Sequence, residues 1–307
     1  MATEIIKNNK PRRFIVVHMP GIEVLTDYLN SLHIISKYIL LTEFNPEKFL
    51  TSNDIFIFTQ MWFDPSGFPS SIYSSERFVF LNVEMLSESN RANHISRMMS
   101  YNMNIADYSV SNIDFIKKYY AQSGKIYNKS LLYLPYQYVV KEISLLRNQT
   151  HKYEFDIGVI NAYPKKDSSV NSELTYKRSA VFDKLTALKF NCVNITGWGH
   201  ERDLIIQKCK IILNVHHFEC FTIFEHIRCD RLIFANKLVV SEKSMYMEDL
   251  DIFPFVYWSN YETIVDYTKH ILDNFDSYQT QLEKMPKNDL ISSRIGQLEK
   301  TYSHLQA

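Results

Sequence analysis

Glycine is scarce in this chain, with 7 in 307 residues. There is accordingly no GxxxxGK[ST] loop to cradle a nucleoside triphosphate and no glycine-rich kinase loop. Neither a GxSxG nucleophile elbow nor an HExxH zinc helix occurs. The four cysteines, Cys192, Cys209, Cys220 and Cys229, never fall at CxxC spacing. Reduced thiols are therefore expected, and a thiolate zinc site is not. A surplus of either charge is also missing: Lys and Arg total 34, as do Asp and Glu, for a formal net charge of zero. A chain that coats nucleic acid needs a basic excess, so no nucleic-acid partner is expected. No stretch approaches the roughly eighteen apolar residues of a membrane-spanning helix. The opening MATEIIKNNKPRR carries no apolar signal core. These absences lead us to expect a cytoplasmic protein without a transmembrane segment, with peripheral membrane contact left open.

What is present is apolar and aromatic. Phe, Trp and Tyr make up 14% of the chain, too much apolar material for disorder. The length suggests about two domains. Short β-rich runs alternate with helical patterns throughout. FIVVH (14–18) reads as a buried strand, followed by a helix with Ile22, Leu25, Leu29 and Leu32 on one face. Strands are expected at 38–41, 54–59, 77–83, 105–110 and 131–134, and helices at 92–101 and 113–124. After a polar stretch the pattern restarts, with strands at 155–160, 192–196, 211–215, 237–241 and 253–258. Helices are expected between them at 174–188, 200–208 and 222–235. The tail from 261 onward reads as helix, broken by Pro286. The alternation predicts an α/β protein with two Rossmann-like domains facing a cleft and a C-terminal helical tail. The expected division is residues 1–138, a linker at 139–154, and a second domain with the tail at 155–307.

The most informative stretch is KIILNVHHFECFTIFEHIRCDRLIFANKLVVSE, residues 210–242, which reads as one βαβ unit. Its strand-to-helix loop and the end of its second strand belong on the carboxyl edge of a parallel sheet, where open α/β sheets bind ligands. A helix starting near Thr222 would offer free N–H groups to a phosphate, with the Thr222 hydroxyl beside them. Glu225, in the first turn, could accept hydrogen bonds from ribose hydroxyls or simply complement the helix dipole. Arg228 and Lys237 could neutralise a diphosphate or serve as solvated charge. His216 and His217, being adjacent, point to different sides of a strand end and do not suit one metal. The only GxG, Gly197-Trp198-Gly199, sits between a strand and a helix but has Arg202 where a dinucleotide fingerprint needs glycine.

From Phe218 to Glu242, FECFTIFEHIRCDRLIFANKLVVSE resembles the donor-binding segment of GT-B-type glycosyltransferases, and among them the compact set of large DNA viruses and some bacteria. DIGVI (156–160), the Lys177-Arg178 helix start and CKIILNVHH extend the likeness. DYSVSN and LLYLPYQY, at 107–112 and 131–138, extend it more loosely. The resemblance implies transfer of a sugar from a nucleotide-diphosphate sugar to a hydroxyl of a glycan or glycoprotein, in the host cytoplasm if the chain is viral. It implies donor contacts from Arg178, Glu225, Glu242, Lys243 and Ser244, to which the helix-start reading adds Thr222, Arg228 and Lys237 at the diphosphate. The resemblance also implies no cofactor and no bound metal, since in that family helix dipole and basic side chains carry the diphosphate charge. Glu219 and Glu225 are six apart, unlike the glutamate pair of the retaining families, so retention against inversion stays open. The alternatives are a non-catalytic nucleotide-sugar-binding or interaction protein on the same fold and, less favoured, an NAD(P)-dependent oxidoreductase.

The first half would hold the acceptor and a base. His18, Glu84 and Asp107 all end predicted strands. His18 and Glu84 are the candidate catalytic residues, and Asp107 is better read as closing a turn with Ser109. Glu84, in LNVEML, reads as a carboxylate buried between apolar neighbours. Asp249-Leu250-Asp251 has the spacing of a metal-chelating DxD but reads as a loop. Trp62, in QMWFDPSGFP, could stack on a sugar or pack in the core.

Overall fold

The structure, a computed structural model, describes residues 11–59, 70–73, 75–86, 103–124, 127–147, 152–161, 177–217 and 222–306. Trp62, Glu219, Cys220 and the helix expected at 92–101 lie outside these residues.

Two parallel sheets make up the molecule. The first contains β1 (Phe14–His18), β2 (Ile35–Leu40), β3 (Ile55–Phe58), β4 (Phe78–Asn82), β5 (Asn104–Asp107) and β6 (Leu131–Tyr133), ordered β2-β1-β3-β4-β5-β6. The second contains β7 (Phe155–Ile160), β8 (Cys192–Ile195), β9 (Cys209–Asn214), β10 (Leu238–Glu242) and β11 (Tyr257–Ser259), ordered β11-β10-β9-β7-β8. All the strand pairs are parallel. Parallel sheets bury both faces, which is why IFIF and FVFLN are apolar nearly throughout and wholly buried. The α/β fold class, two parallel sheets and a helical C-terminal segment are thus as the alternation predicts.

In the first half a 3-10 turn (Ile22–Leu25) leads into α1 (Thr26–Ser31), followed by α2 (Pro46–Thr51), α3 (Ser70–Tyr73) and α4 (Val110–Gln122). Residues 140–146, expected as polar linker, form α5 (Val140–Leu146). Its Ile143 and Leu146, one turn apart, are buried, and the helix docks on the second half. There, α6 (Lys177–Ala187), α7 (Gly199–Gln207), α8 (His226–Phe234), α9 (Ile264–Asp273) and α10 (Phe275–Lys284) follow, before α11 (Asn288–Gln306).

Three expectations need correction. Helix α8 begins at His226 rather than near Thr222; Ile223 and Phe224, buried just before it, lie in a non-helical approach. The Phe224 ring packs edge-on against both His226 and Trp258. The strand expected at 253–258 starts instead with a 3-10 turn at Phe253–Phe255, which carries Pro254, and the strand follows at Tyr257–Ser259. The tail breaks at Asn274 as well as near Pro286, giving three helices.

α11 returns to the first sheet. The Thr301 hydroxyl donates to the Tyr133 carbonyl at 2.9 Å, and Gln306 exchanges hydrogen bonds with the backbone of Arg12, both at 2.8 Å. Arg294, 1% exposed, donates to Asp251 and Asp230 and to the Tyr136 carbonyl. Asp251 of the DxD triplet is therefore the partner of an arginine. One hydrophobic cluster runs from Phe14 and Tyr28 through Tyr136 and Ile143 to Ile157 and Phe234, joining the two halves. A second, with Ile15, Val17, Phe49 and Phe80, fills the other face of the first sheet. β1 thus feeds alternate residues to each core.

Candidate active site

In a parallel α/β sheet the strand order reverses at one point, and a crevice opens there beyond the carboxyl ends. The second sheet reverses between β7 and β9 and the first between β1 and β3. The carboxyl edges of both sheets border one cavity of about 300 Å3. Leu25, Asp27, Tyr28, Glu84 and Tyr108 line it from the first half; Asn161, Arg178, Trp198, Arg202, Glu225, Arg228 and Arg231 line it from the second. Four arginines face this space together with three carboxylates, Asp27, Glu84 and Glu225.

At its centre, Glu225 precedes α8 and is 7% exposed. Its carboxylate pairs with Arg178 from α6 on one oxygen and with Arg228 on the other. Arg178 also donates through Nε to the Val215 carbonyl at the end of β9, at 2.7 Å, which fixes its plane. Burial would raise the Glu225 carboxyl, but Arg228 and Arg178 outweigh it and hold it below the usual range. Glu225 is therefore a carboxylate that already accepts a charged hydrogen bond from Arg178 and is ion-paired with Arg228.

Beside this pair, neighbouring residues divide their duties. Arg178 and His217 line the cavity, while Lys177 and His216 turn away from it to meet Glu242. Lys177 pairs with one Glu242 oxygen and lies 4.3 Å from the centre of the Tyr261 ring. The His216 N–H donates to the other oxygen at 3.1 Å. His216 Nε2 lies 3.3 Å from the Ser244 hydroxyl and 3.2 Å from the Lys243 carbonyl. Burial lowers both imidazole pKa values, and with the Arg178 charge it brings His217 down to about 4. Both rings are thus neutral near pH 7. Glu242 and Ser244 sit behind the cavity wall as supports, and Lys243 is exposed beside a separate pocket with Trp258 and Asn260. Among the described residues no cluster of three His, Cys, Asp or Glu side chains is placed to hold a metal.

The remaining candidates separate. Thr222 is partly exposed on the approach to α8, where its carbonyl accepts from the Met245 N–H at 2.7 Å. Lys237 is not at the cavity. It precedes β10, so it lies on the amino edge of the sheet, where its ammonium donates to the Gln207 and Cys209 carbonyls at 2.9 and 3.1 Å. Glu84 is only partly buried, in a bend after β4, and faces the cavity; the burial expected from its neighbours in sequence ends with the strand. His18 ends β1 outside the lining, its Nδ1 2.9 Å from the Met19 carbonyl. Asp107 is fully buried and takes hydrogen bonds from Asn82, the Ser109 N–H and Asn112 at 2.6, 2.8 and 3.0 Å. Burial pushes its carboxyl up to about 8 against those bonds.

Sequence reading missed the tie across the cavity. Asp27 on α1 accepts from both Arg202 on α7 and Arg231 on α8, and Asp203 accepts from the same two arginines. The partners are 175 and 204 residues apart, beyond any local pattern. Arg202, at the position where a dinucleotide fingerprint needs glycine, is committed to this tie. The Gly197-Trp198-Gly199 turn also follows the sheet's second strand rather than its first βα turn.

Fold and site together define an α/β protein with two parallel sheets and an arginine-lined cavity between their carboxyl edges. No family model matches the chain. It is similar to three uncharacterized proteins of Acanthamoeba polyphaga mimivirus. One is 28% identical over 275 residues, covering 88% of this chain and 34% of the relative. A second is 31% identical over 208 residues, covering 66% and 61%, and a third is 27% identical over 224 residues, covering 71% and 70%. The chain thus spans about a third of the length of the first and about three fifths of the second. Among solved structures, an alpha1,3-fucosyltransferase with GDP aligns at a TM-score of 0.49 and 12% identity, covering 99% of this chain and 94% of that one. The N-terminal domain of Candida albicans trehalose-6-phosphate phosphatase aligns at 0.48 and 9%, covering 96% of each. Among the described residues no helix is long and apolar enough to cross a membrane.

Proposed function

We propose that the chain is a glycosyltransferase that moves a sugar from a nucleotide-diphosphate sugar to a hydroxyl acceptor on a glycan or glycoprotein. The observation that carries this reading is the Arg178–Glu225–Arg228 group at the reversal point of the second sheet, inside an inter-sheet cavity. A sugar–diphosphate bond breaks with negative charge growing on the leaving diphosphate. Fixed guanidinium groups in a site shielded from water stabilise that charge without reorganising. Arg178 is held by Val215 and Arg228 is tethered one turn into α8, so both are in place before the donor arrives. Glu225 would pass its hydrogen-bond acceptors to the donor ribose as the phosphates take over the two arginines. In this scheme Arg178 and Arg228, and not a metal, meet the diphosphate charge. Glu84, facing the cavity from the opposite half, is the candidate base for the acceptor hydroxyl.

The test is a thermal-shift panel of nucleoside diphosphates, nucleotide sugars and NAD(P). The matching donor at about 100 times its dissociation constant should add about 2.7 kcal/mol. Glu225→Ala should remove that response while circular dichroism still reports a folded chain. Stabilisation by NAD(P) with no response to any nucleoside diphosphate would rule the reading out. Donor hydrolysis or transfer distinguishes an enzyme from a nucleotide-sugar-binding protein, which would bind without turnover.

A further inference from the structure

Trp198 is 43% exposed on the cavity wall, an unusual place for so large an apolar ring. It is held there by backbone geometry. Gly197 and Gly199 adopt φ of 79° and 67°, the left-handed region that other residues enter at a cost. A Cβ at either position would meet nothing within 4 Å, so the glycines answer a need for conformation and not for room. The resulting turn presents the indole at the end of β8, as the residue that leads into α7.

One side of the ring is supported. The Arg202 guanidinium, one helical turn on, lies 5.9 Å from the ring centre and is itself clamped by Asp27 and Asp203. No other ring of the described residues stacks on the indole. The arrangement is a flat apolar surface braced on a fixed cation, in the same cavity as the Arg178–Glu225–Arg228 group. In the sheet, β8 lies beside β7, and β7 beside β9. Adjacent strand ends are about 4.8 Å apart, so the β8 and β9 ends are separated by roughly twice that. A nucleoside spans such a gap between its phosphates and its base.

We infer that Trp198 is the stacking platform for the base of the nucleoside diphosphate, with Arg202 as the residue that positions it. This rests on the donor reading above and adds where its base lies. Stacking on indole is tolerant of base identity, since every base has a π face. Trp198 therefore supplies affinity for a base as such, and choice among bases falls to groups at the edge of the platform.

The experiment is calorimetric titration of the full chain with inorganic pyrophosphate and with adenosine, guanosine, uridine and cytidine diphosphates. In the unmodified chain the preferred nucleoside diphosphate should bind more tightly than pyrophosphate. Trp198→Ala should weaken that nucleotide by about tenfold or more and leave pyrophosphate unchanged, and Trp198→Phe should restore most of the loss. Arg202→Lys should weaken the nucleotide selectively as well, by loosening the ring. Unchanged nucleotide affinity in Trp198→Ala overturns the platform while the donor reading stands, as does an equal loss for pyrophosphate. A chain that binds pyrophosphate but gains nothing from any base also overturns it. Binding of neither class removes the donor reading and the platform together.

Discussion

Lys237 shows how much one position on a parallel strand decides. A residue just before such a strand lies on the amino edge, and one just after it lies on the carboxyl edge with the ligands. Lys237 is 4% exposed, and burial brings its ammonium down to about 8 while it caps two carbonyl groups. Lys237→Ala should therefore lower stability by about 1–3 kcal/mol in urea unfolding, from lost hydrogen bonds and desolvated carbonyls. The nucleotide-induced thermal shift should stay unchanged; a lost shift would return Lys237 to the site. The cavity-facing places of Glu225 and Arg228 were legible because both sit in a short strand–loop–helix pattern whose carboxyl edge could be inferred; Arg178, after a long loop, came only from the family resemblance. Asp27 was not, since its value depends on two arginines contributed by distant helices. Even Lys177 was legible only as a helix start, and its pairing with Glu242 needed the fold.

At the scale of elements, Asp107 ties the ends of β4 and β5 and the start of α4 into one rim of the cavity. Asn82 and Asn112 each bond both Asp107 and the Glu84 carbonyl, and Asn112 also accepts from the Leu86 N–H. This network sets the bend that carries Glu84. It also makes stability depend on pH. The folded carboxyl keeps its proton until about 8, whereas the unfolded one releases it near the ordinary 3.8 of an aspartate. Between those values the unfolded state binds fewer protons, so stability should fall as pH rises and level off above about 8. Urea unfolding at pH 5 and pH 8 should show this decline, and Asp107→Asn should flatten the Asp107 contribution. An identical pH slope in the variant would exclude Asp107 as its source. Strands were the legible elements because parallel pairing demands nearly continuous apolar runs, and FIVVH and FVFLN supply them. Starts of helices were less so: the apolar pattern runs through Ile223 and Phe224 without a break, yet α8 starts only at His226, because burial alone does not distinguish an extended approach from a helical turn.

For the whole molecule, the decisive contact is Arg294. It reaches from α11 to Asp230 on α8, to Asp251 and to the Tyr136 carbonyl, so the last helix binds both halves at one buried point. Asp230 and Asp251 outweigh the burial of Arg294 and hold it firmly cationic, and Arg294 with His226 keeps the Asp230 carboxyl low in spite of its own burial. Removing one partner from such a group leaves a buried charge uncompensated. Arg294→Ala should cost about 3–5 kcal/mol of stability, read from the urea midpoint. A loss near zero would mean that water reaches Asp230 once the guanidinium is gone. The two-sheet plan was legible from alternation; the return of α11 was not, because an amphipathic helix does not state which surface it will cover.

The mutual hydrogen bonds of Arg12 and Gln306 place the two extremities of the described fold side by side. A unit built this way behaves like a bead whose string passes in and out through the same hole. It can be spliced into a longer polypeptide without stretching its neighbours apart, a geometry that domain insertion favours. The same property makes it a candidate for circular permutation: a short linker joining the extremities would leave both sheets and the arginine-lined cavity intact, with new ends cut in an exposed turn such as the one at Gly124.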